Sequence, residues 1–292
     1  MSFNLSIVSC IKSYSSRELL EWFLWHKFIG VDHFYIFDDD GKVKVENVLE
    51  KYKNNITLIN KLNFEKKITL VGLKKNASPN DVQITPRFGY KPSMYADIYD
   101  KYKNESDWMA FIDDDEFIFP LRDKSIKKYL SEVEEEKSLV LQWRNFSPSG
   151  KAKTPTGGVI FDHYKSHNQG TTIKTIINCK KVNSIFKKNH FLTDSGVDAN
   201  YNRVELNSSQ LNYVVDSPYF VLNHYCVKSF EDAISKLHRR YEDNAFNPKS
   251  LEVATQRLLK QIIGFSNQRV YNCRFNFSKK LKKAYYDYKS QT

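Results

Sequence analysis

Cysteine is scarce in this chain and never paired in sequence. Cys10, Cys179, Cys226 and Cys273 stand far apart with no C-x-x-C spacing. That argues against a thiol-ligated zinc module and reads as reduced core thiols. Long hydrophobic runs are also missing: none reaches membrane-spanning length, and Met1 to Ser9 passes straight into an apolar strand without a basic leader. The location expected on that basis is cytoplasmic. Internal repeats, low-complexity tracts and interdomain linkers are lacking too, so residues 1–292 are expected to form one domain.

Acidic residues are outnumbered. Forty-five Lys and Arg against 34 Asp and Glu leave a formal charge of +11, which suits a polyanionic partner such as a diphosphate-linked substrate or an anionic membrane surface. The excess is scattered in doublets such as Lys66-Lys67, Lys127-Lys128 and Lys187-Lys188. With no basic helical region and no zinc-finger spacing, nucleic acid is not the expected partner. Hydrophobic residues make up 41% and aromatics 14%, enough for one large α/β core.

The chain reads as alternating strands and helices. Leu5 to Cys10 is an apolar strand, and Ser15-x-x-Glu18 has the form of a capping box opening a helix through Phe28 that ends at Gly30. Val31 to Phe37 is a second strand, so a parallel β-α-β unit follows. Further expectations are a helix over 43–52, a strand over 56–59, a polar loop over 74–87 and a helix over 94–102. After these come a charged helix over 125–137 and a strand over 139–143. From 144 to 225, loops rich in Gly, Pro, Ser and Thr separate short runs such as 171–177 and 213–222, which suggests additional strands. Helices are expected from Ser229 to Tyr241 and over 251–263. A mostly parallel Rossmann-like sheet with helices on both faces, additional strands and C-terminal helices is therefore the fold class.

The most informative run is Trp108 to Phe119, where an apolar strand empties into Asp113-Asp114-Asp115-Glu116 and then resumes. Four carboxylates in a row repel one another, and a hard cation such as Mg²⁺ or Mn²⁺ would relieve that repulsion. Continued strand periodicity would put Asp113 and Asp115 on one side, able to reach one metal together. A second acidic group, Asp38 to Asp40, closes the preceding parallel strand, where ligands of open sheets bind. The plain alternative for Asp38-Asp39-Asp40-Gly41 is a turn.

Three segments line up in order: Glu21-Trp22-x-x-x-His26-x-x-x-Gly30-Val31-x-His33 to Asp38; Asp107-Trp108-x-Ala110-Phe111-Ile112-Asp113-x-Asp115-Glu116; and His224-Tyr225-x-x-Lys228-Ser229. Together they resemble glycosyltransferases of the family 2-like and family 92 type. The resemblance implies a GT-A fold, a nucleotide-sugar donor, a glycan or lipid-linked acceptor, and Mn²⁺ or Mg²⁺ on the donor diphosphate. On that resemblance Asp113, Asp115 and His224 are the metal residues. Asp38, Asp39, Asp113 and Lys228 hold the donor. It also divides the chain into a nucleotide-sugar-binding half (1–143), an acceptor-side half (144–227) and C-terminal helices (228–292). Gln142 to Gly150 is similar to a Trp-x-x-Phe-Gly-x-x-Gly segment of the family, with Ser147 where Gly is usual.

An inverting transferase needs a carboxylate beside the acceptor hydroxyl. Asp162, Asp194 and Asp198 are the candidates, each also readable as a loop-capping residue. Two other classes compete: a two-metal phosphohydrolase or nuclease, and a non-catalytic glycan-binding protein. The Lys- and Tyr-rich stretch from Ser278 to Tyr286 fits either a peripheral contact with an anionic membrane or a solvated terminal helix.

Overall fold

The computed structural model describes residues 3–12, 15–39, 41–60, 91–122, 124–146, 148–156, 158–159, 166–216, 218–243, 256 and 279–292. Asp162, the loop over 74–87 and nearly all of the helix expected over 251–263 lie outside them. No helix among the described residues is long and apolar enough to cross a membrane.

Four strands build the parallel part of the sheet: β1 (Phe3–Ile11), β2 (His33–Asp38), β3 (Ile56–Asn60) and β4 (Ser106–Phe111). Their spatial order is β3-β2-β1-β4, and all three pairings are parallel. The remaining main strands are β5 (Glu116–Pro120), β6 (Ser138–Phe146), β7 (Ser166–Asn178) and β10 (Phe220–His224), continuing the order as β7-β6-β10-β5. Here the sheet is mixed, since β7 is antiparallel to both β4 and β6, while β10 is parallel to β6 and antiparallel to β5. A short pair, β8 (Ser195–Asp198) and β9 (Arg203–Glu205), hangs on the start of β6.

Alternation along the parallel strands explains why helices cover both faces. Phe34, Ile36, Trp108 and Ala110 join a core with Leu19, Trp22, Phe23 and Trp25 of α1 (Ser16–Phe28). Tyr35, Phe37, Met109 and Phe111 point the other way and pack with Met94, Tyr95, Ile98 and Tyr99 of α3 (Lys91–Tyr102). Strands buried on both faces read as continuous apolar runs. Ser15 caps α1 by accepting from the Glu18 N–H at 3.3 Å, and Gly30, at φ +107°, ends it in a conformation that favours glycine.

The helix expected over 43–52 is a short α2 (Val45–Leu49) running into a 3₁₀ turn, Glu50–Asn55. The charged helix, α4 (Ile126–Glu132), is shorter than expected. Among the described residues of the run 213–222, only those from Phe220 on, in β10, are strand. The Gln142 amide donates to the Tyr213 carbonyl at 2.7 Å and its oxygen accepts from the Val215 N–H at 2.7 Å, fixing the preceding residues as a loop. Helix α5 (Phe230–Asp243) starts where expected, capped by Ser229, whose oxygen accepts from the Asp232 N–H at 3.0 Å.

The terminal helix α6 (Lys279–Gln291) is not solvated all round. Tyr285 is buried against Trp25 and Phe28 at ring distances of 5.4 and 5.5 Å, and Tyr288 packs on Phe28 at 5.7 Å. The Thr292 carbonyl oxygen accepts from Lys51 Nζ and from the Tyr52 hydroxyl.

Candidate functional site

Helix α1 organises the acidic run. The Trp22 indole N–H is shared between the Asp113 and Glu116 carbonyls at 3.1 and 3.0 Å. Next, Trp25 donates to the Ile118 carbonyl at 2.9 Å, while the Ile118 N–H donates to His26 Nε2 at 3.2 Å. β5 ends the sheet order, so among the described residues its outer edge has no neighbouring strand, and these side chains satisfy the edge groups. His26 Nδ1 lies 2.8 Å from the Trp22 carbonyl, which makes Nδ1 the protonated nitrogen and leaves Nε2 as the acceptor.

Asp113 to Asp115 form a turn between β4 and β5 rather than a continuing strand, because the chain leaves one part of the sheet for its far edge. Strand periodicity therefore does not apply, and Asp113 and Asp115 meet different cations. Asp113 takes Lys91 on one oxygen and Lys174 of β7 on the other at 3.1 Å. Asp115 faces His224 Nε2 at 3.6 Å and Lys236 Nζ at 3.5 Å.

These charges change the electrostatics expected of four acids in a row. Burial works to raise the Asp113 carboxyl, but Lys174 and Lys91 overcome it and hold the group far below the usual range. Burial pushes Glu116 up to about 8, so at neutral pH it is largely a neutral acid. Asp114 is raised to about 6 by burial and by Asp115 beside it. For Asp115, burial is again opposed, here by His224 when that ring is protonated and by Lys236, and the group is held low. Much of the repulsion read from the sequence is thus removed by protonation and by lysines.

His224 closes β10. Its Nδ1 is 2.9 Å from Asn145 Oδ1, so Nδ1 carries the proton and the Nε2 lone pair faces Asp115. Burial lowers the pKa of His224 and favours this neutral form. A lone pair and a carboxylate oxygen facing each other at 3.6 Å repel unless a positive centre lies between them. This donor pair, with the second imidazole nitrogen anchored by an amide, fits a divalent cation. Among the described residues no group of three or more His, Cys, Asp or Glu could hold a metal ion, so a bound ion would take further ligands from a substrate or from water.

The other expected site residues divide. Lys228 does reach this region, paired with Glu18 of α1 at 2.6 Å, and the negative charges of Asp115 and Asp114 also act on it. Asp39 follows β2 at the same carboxyl end, its N–H donating to the Ile11 carbonyl at 2.8 Å. Asp38 is buried and accepts from the Val45 N–H at 3.4 Å, a contact at the start of α2.

Asp194 and Asp198 are not brought to the acidic turn. Both lie by the start of β6, whereas Asn145 and His224 lie at its end. Asp194 is exposed and paired with Lys137 at 2.8 Å. Asp198 is fully buried and accepts from the Asn200 and Asn202 N–H groups, the Asn202 amide and the Tyr213 hydroxyl, a turn-forming role. Asp198 thus acts as a loop-capping residue, while Asp194 accepts from Lys137 and from the hydroxyls of Thr193 and Ser195.

Sequence reasoning missed several participants. Lys91, Lys174 and Lys236 come from α3, β7 and α5, with no local signal tying them to the acids. His190, four residues before Asp194, is another. Its ring lies 5.4 Å from Trp143, which also packs 4.2 Å from His224. His190 Nδ1 is 3.2 Å from the Ile173 carbonyl, leaving Nε2 as an acceptor. Glu21 accepts from the Val159 N–H at 3.0 Å and so ties α1 to the loop after β6.

Over 232 residues, 77% of its length and 36% of the relative's, this chain is 24% identical to a glycosyltransferase family 92 protein of Ricinus communis. Over 156 residues, 49% of this chain and 22% of the relative, it is 26% identical to a glycosyltransferase family 92 protein of Oryza sativa subsp. japonica. The chain therefore spans well under half the length of either plant protein. Among solved structures it is similar to S. aureus TarS 1-349 at 12% identity and a TM-score of 0.36, covering 98% of this chain and 80% of that one. To the same protein in complex with UDP the figures are 13%, 0.35, 99% and 92%. The description of Glycosyltransferase family 92 matches residues 6–252. With most of its length under that match, this chain belongs to glycosyltransferase family 92.

Proposed function

We propose that this chain transfers a sugar from a nucleotide-diphosphate donor to a glycan or lipid-linked acceptor, with inversion, using Mn²⁺ or Mg²⁺ held by Asp115 and His224. The observation that carries the reading is the His224–Asp115 pair. Two acceptor atoms are held face to face by Asn145 and by the turn, beyond the carboxyl ends of a parallel sheet, in a family 92 chain. When bound, the ion stabilises the negative charge that develops on the departing diphosphate.

The chain's own residues do the rest. Lys228 and Lys236 stand beside Asp114 and Asp115 and place positive charge where phosphate oxygens would lie. Asp113, held between Lys91 and Lys174, orients that pair and the turn more than it offers a free carboxylate. Asp39 is the residue for the ribose or base. Trp143 offers a ring for the apolar face of a sugar, and His190 Nε2 is an acceptor for one of its hydroxyls. The residue that takes the acceptor proton is to be sought first at Asp162 and His190.

The test is a panel of nucleotide sugars incubated with Mn²⁺ and followed by release of nucleoside diphosphate. Release from one donor supports the transferase. Metal-dependent cleavage of a phosphodiester in place of donor turnover would mark a phosphohydrolase or nuclease, and glycan binding without turnover a binding protein. Asp115→Asn is expected to abolish metal-dependent donor binding with the fold intact. Unchanged binding by calorimetry would remove Asp115 from the metal shell.

A further inference from the structure

A separate cleft of about 710 Å³ opens between the start of α1, the segment around α2 and the terminal helix α6. Its charged lining is lopsided: Arg17, Lys42, Lys44 and Lys289 against Glu21 alone. Glu21 is already committed, since both its oxygens accept from the Val159 N–H at 3.0 Å. Arg17, Lys42 and Lys289 take part in no ion pair among the described residues. The four cations come from three places in the chain, and Lys289 arrives only because Tyr285 and Tyr288 seat α6 on Trp25 and Phe28. Lys44 has a further interaction of its own, but the like charges of Arg17, Lys42 and Lys289 around a concave space repel one another, and the cleft walls focus their field on whatever enters.

From this convergence we infer that the cleft binds a phosphoryl group, distinct from the donor diphosphate at the acidic turn. Arg17 supplies a planar fork suited to two phosphate oxygens, and the three lysines act as point charges around it. The Ser16 and Arg17 N–H groups at the first turn of α1 add to the same positive end. The first turn of α1 and Lys42 both follow strand ends on the side of the sheet that carries Asp39 and the acidic turn. A phosphoryl group held here would sit on a molecule or surface approaching that side. A soluble phosphate ester and a phospholipid headgroup share this chemistry, and the experiment separates them.

The measurement is calorimetric titration of the full chain with inorganic pyrophosphate in EDTA, which silences metal-dependent binding at the acidic turn. Binding is expected, weakened by raised salt and lost by about tenfold or more in Arg17→Ala/Lys42→Ala/Lys289→Ala. Asp115→Asn should bind pyrophosphate as the unaltered chain does. No binding in EDTA, or equal binding by the triple variant, overturns the inference, and neither result bears on donor turnover with Mn²⁺. Should the triple variant not fold, Lys289→Ala alone, close to the chain end, must still weaken binding; unchanged affinity overturns the proposal. Sedimentation with phosphatidylglycerol vesicles then decides the source. Cosedimentation abolished by the same substitutions identifies a headgroup site, and pyrophosphate binding without cosedimentation identifies a soluble phosphate.

Discussion

The Trp22 indole N–H sits 3.1 Å from the Asp113 carbonyl oxygen, across 91 residues of chain. The same N–H lies 3.0 Å from the Glu116 carbonyl, so one donor clamps both ends of the acidic turn. Trp22→Phe keeps the ring in the core and removes the donor. Leaving buried carbonyls short of a partner should destabilise the chain by about 1–3 kcal/mol. The turn would also loosen. Urea denaturation and donor binding should both be weakened, and a variant with unaltered donor affinity would show that the turn holds its shape without the clamp.

Asn145 tests the metal reading from outside the ligand pair. Replacing it with Leu removes the acceptor of the His224 Nδ1–H, frees the imidazole to flip and leaves a buried N–H unpaired. Loss of such an anchoring partner lowers metal affinity by about 10–100-fold. Mn²⁺ titration of Asn145→Leu beside the unaltered chain measures it. Equal affinities would mean that His224 does not ligate.

His26 carries a pH prediction. Burial lowers its pKa from an ordinary value near 6.5 to about 3, and its Nε2 must stay unprotonated to accept from the Ile118 N–H. Between those two pH values the unfolded chain binds a proton that the folded chain refuses. The stability contributed by neutral His26 is therefore complete above about pH 6.5 and falls away as the pH drops toward 3, by at most about 1.4 kcal/mol per pH unit. In His26→Gln, urea midpoints measured between pH 7.5 and 4.5 should lose that share of their slope. A parallel pH dependence in the two proteins would refute it.

Gly158 has φ +97°, and a Cβ there would lie 2.0 Å from Glu21 Oε1. Gly158→Ala should therefore break the Glu21–Val159 contact and strain the backbone. About 1–3 kcal/mol is expected from the backbone alone. Adding Glu21→Ala makes room for the methyl group, so the double variant should lose less than the sum of the single losses. Thermal melts of the three variants decide this, and strict additivity would count against the clash.

How far the sequence could be read depended on the range of each signal. Ser15 and Ser229 announced their helices because a cap is made by a side chain three residues from its partner. The run from Val31 to Phe37 announced a strand buried on both faces because its alternate residues feed two cores. The acidic run was visible as a cluster, but its shape was not. Periodicity describes a strand only while the strand lasts, and here the chain turns at Asp113 to reach the far edge of the sheet. Asp194 and Asp198 are candidate bases in the sequence, and the path of β6 puts them at its other end.

Local order and the inventory of chemistry were therefore written in the amino acids themselves: the β/α alternation, the acids after β2 and β4, His224, and the family 92 pattern. Tertiary structure alone decided which charges meet. Lys91, Lys174 and Lys236 arrive at the acids from three separate elements, and Lys289 arrives at the basic cleft from the last helix. Coulombic partners are set by distance in space, which falls steeply from one neighbour to the next, whereas a sequence records only distance along the chain.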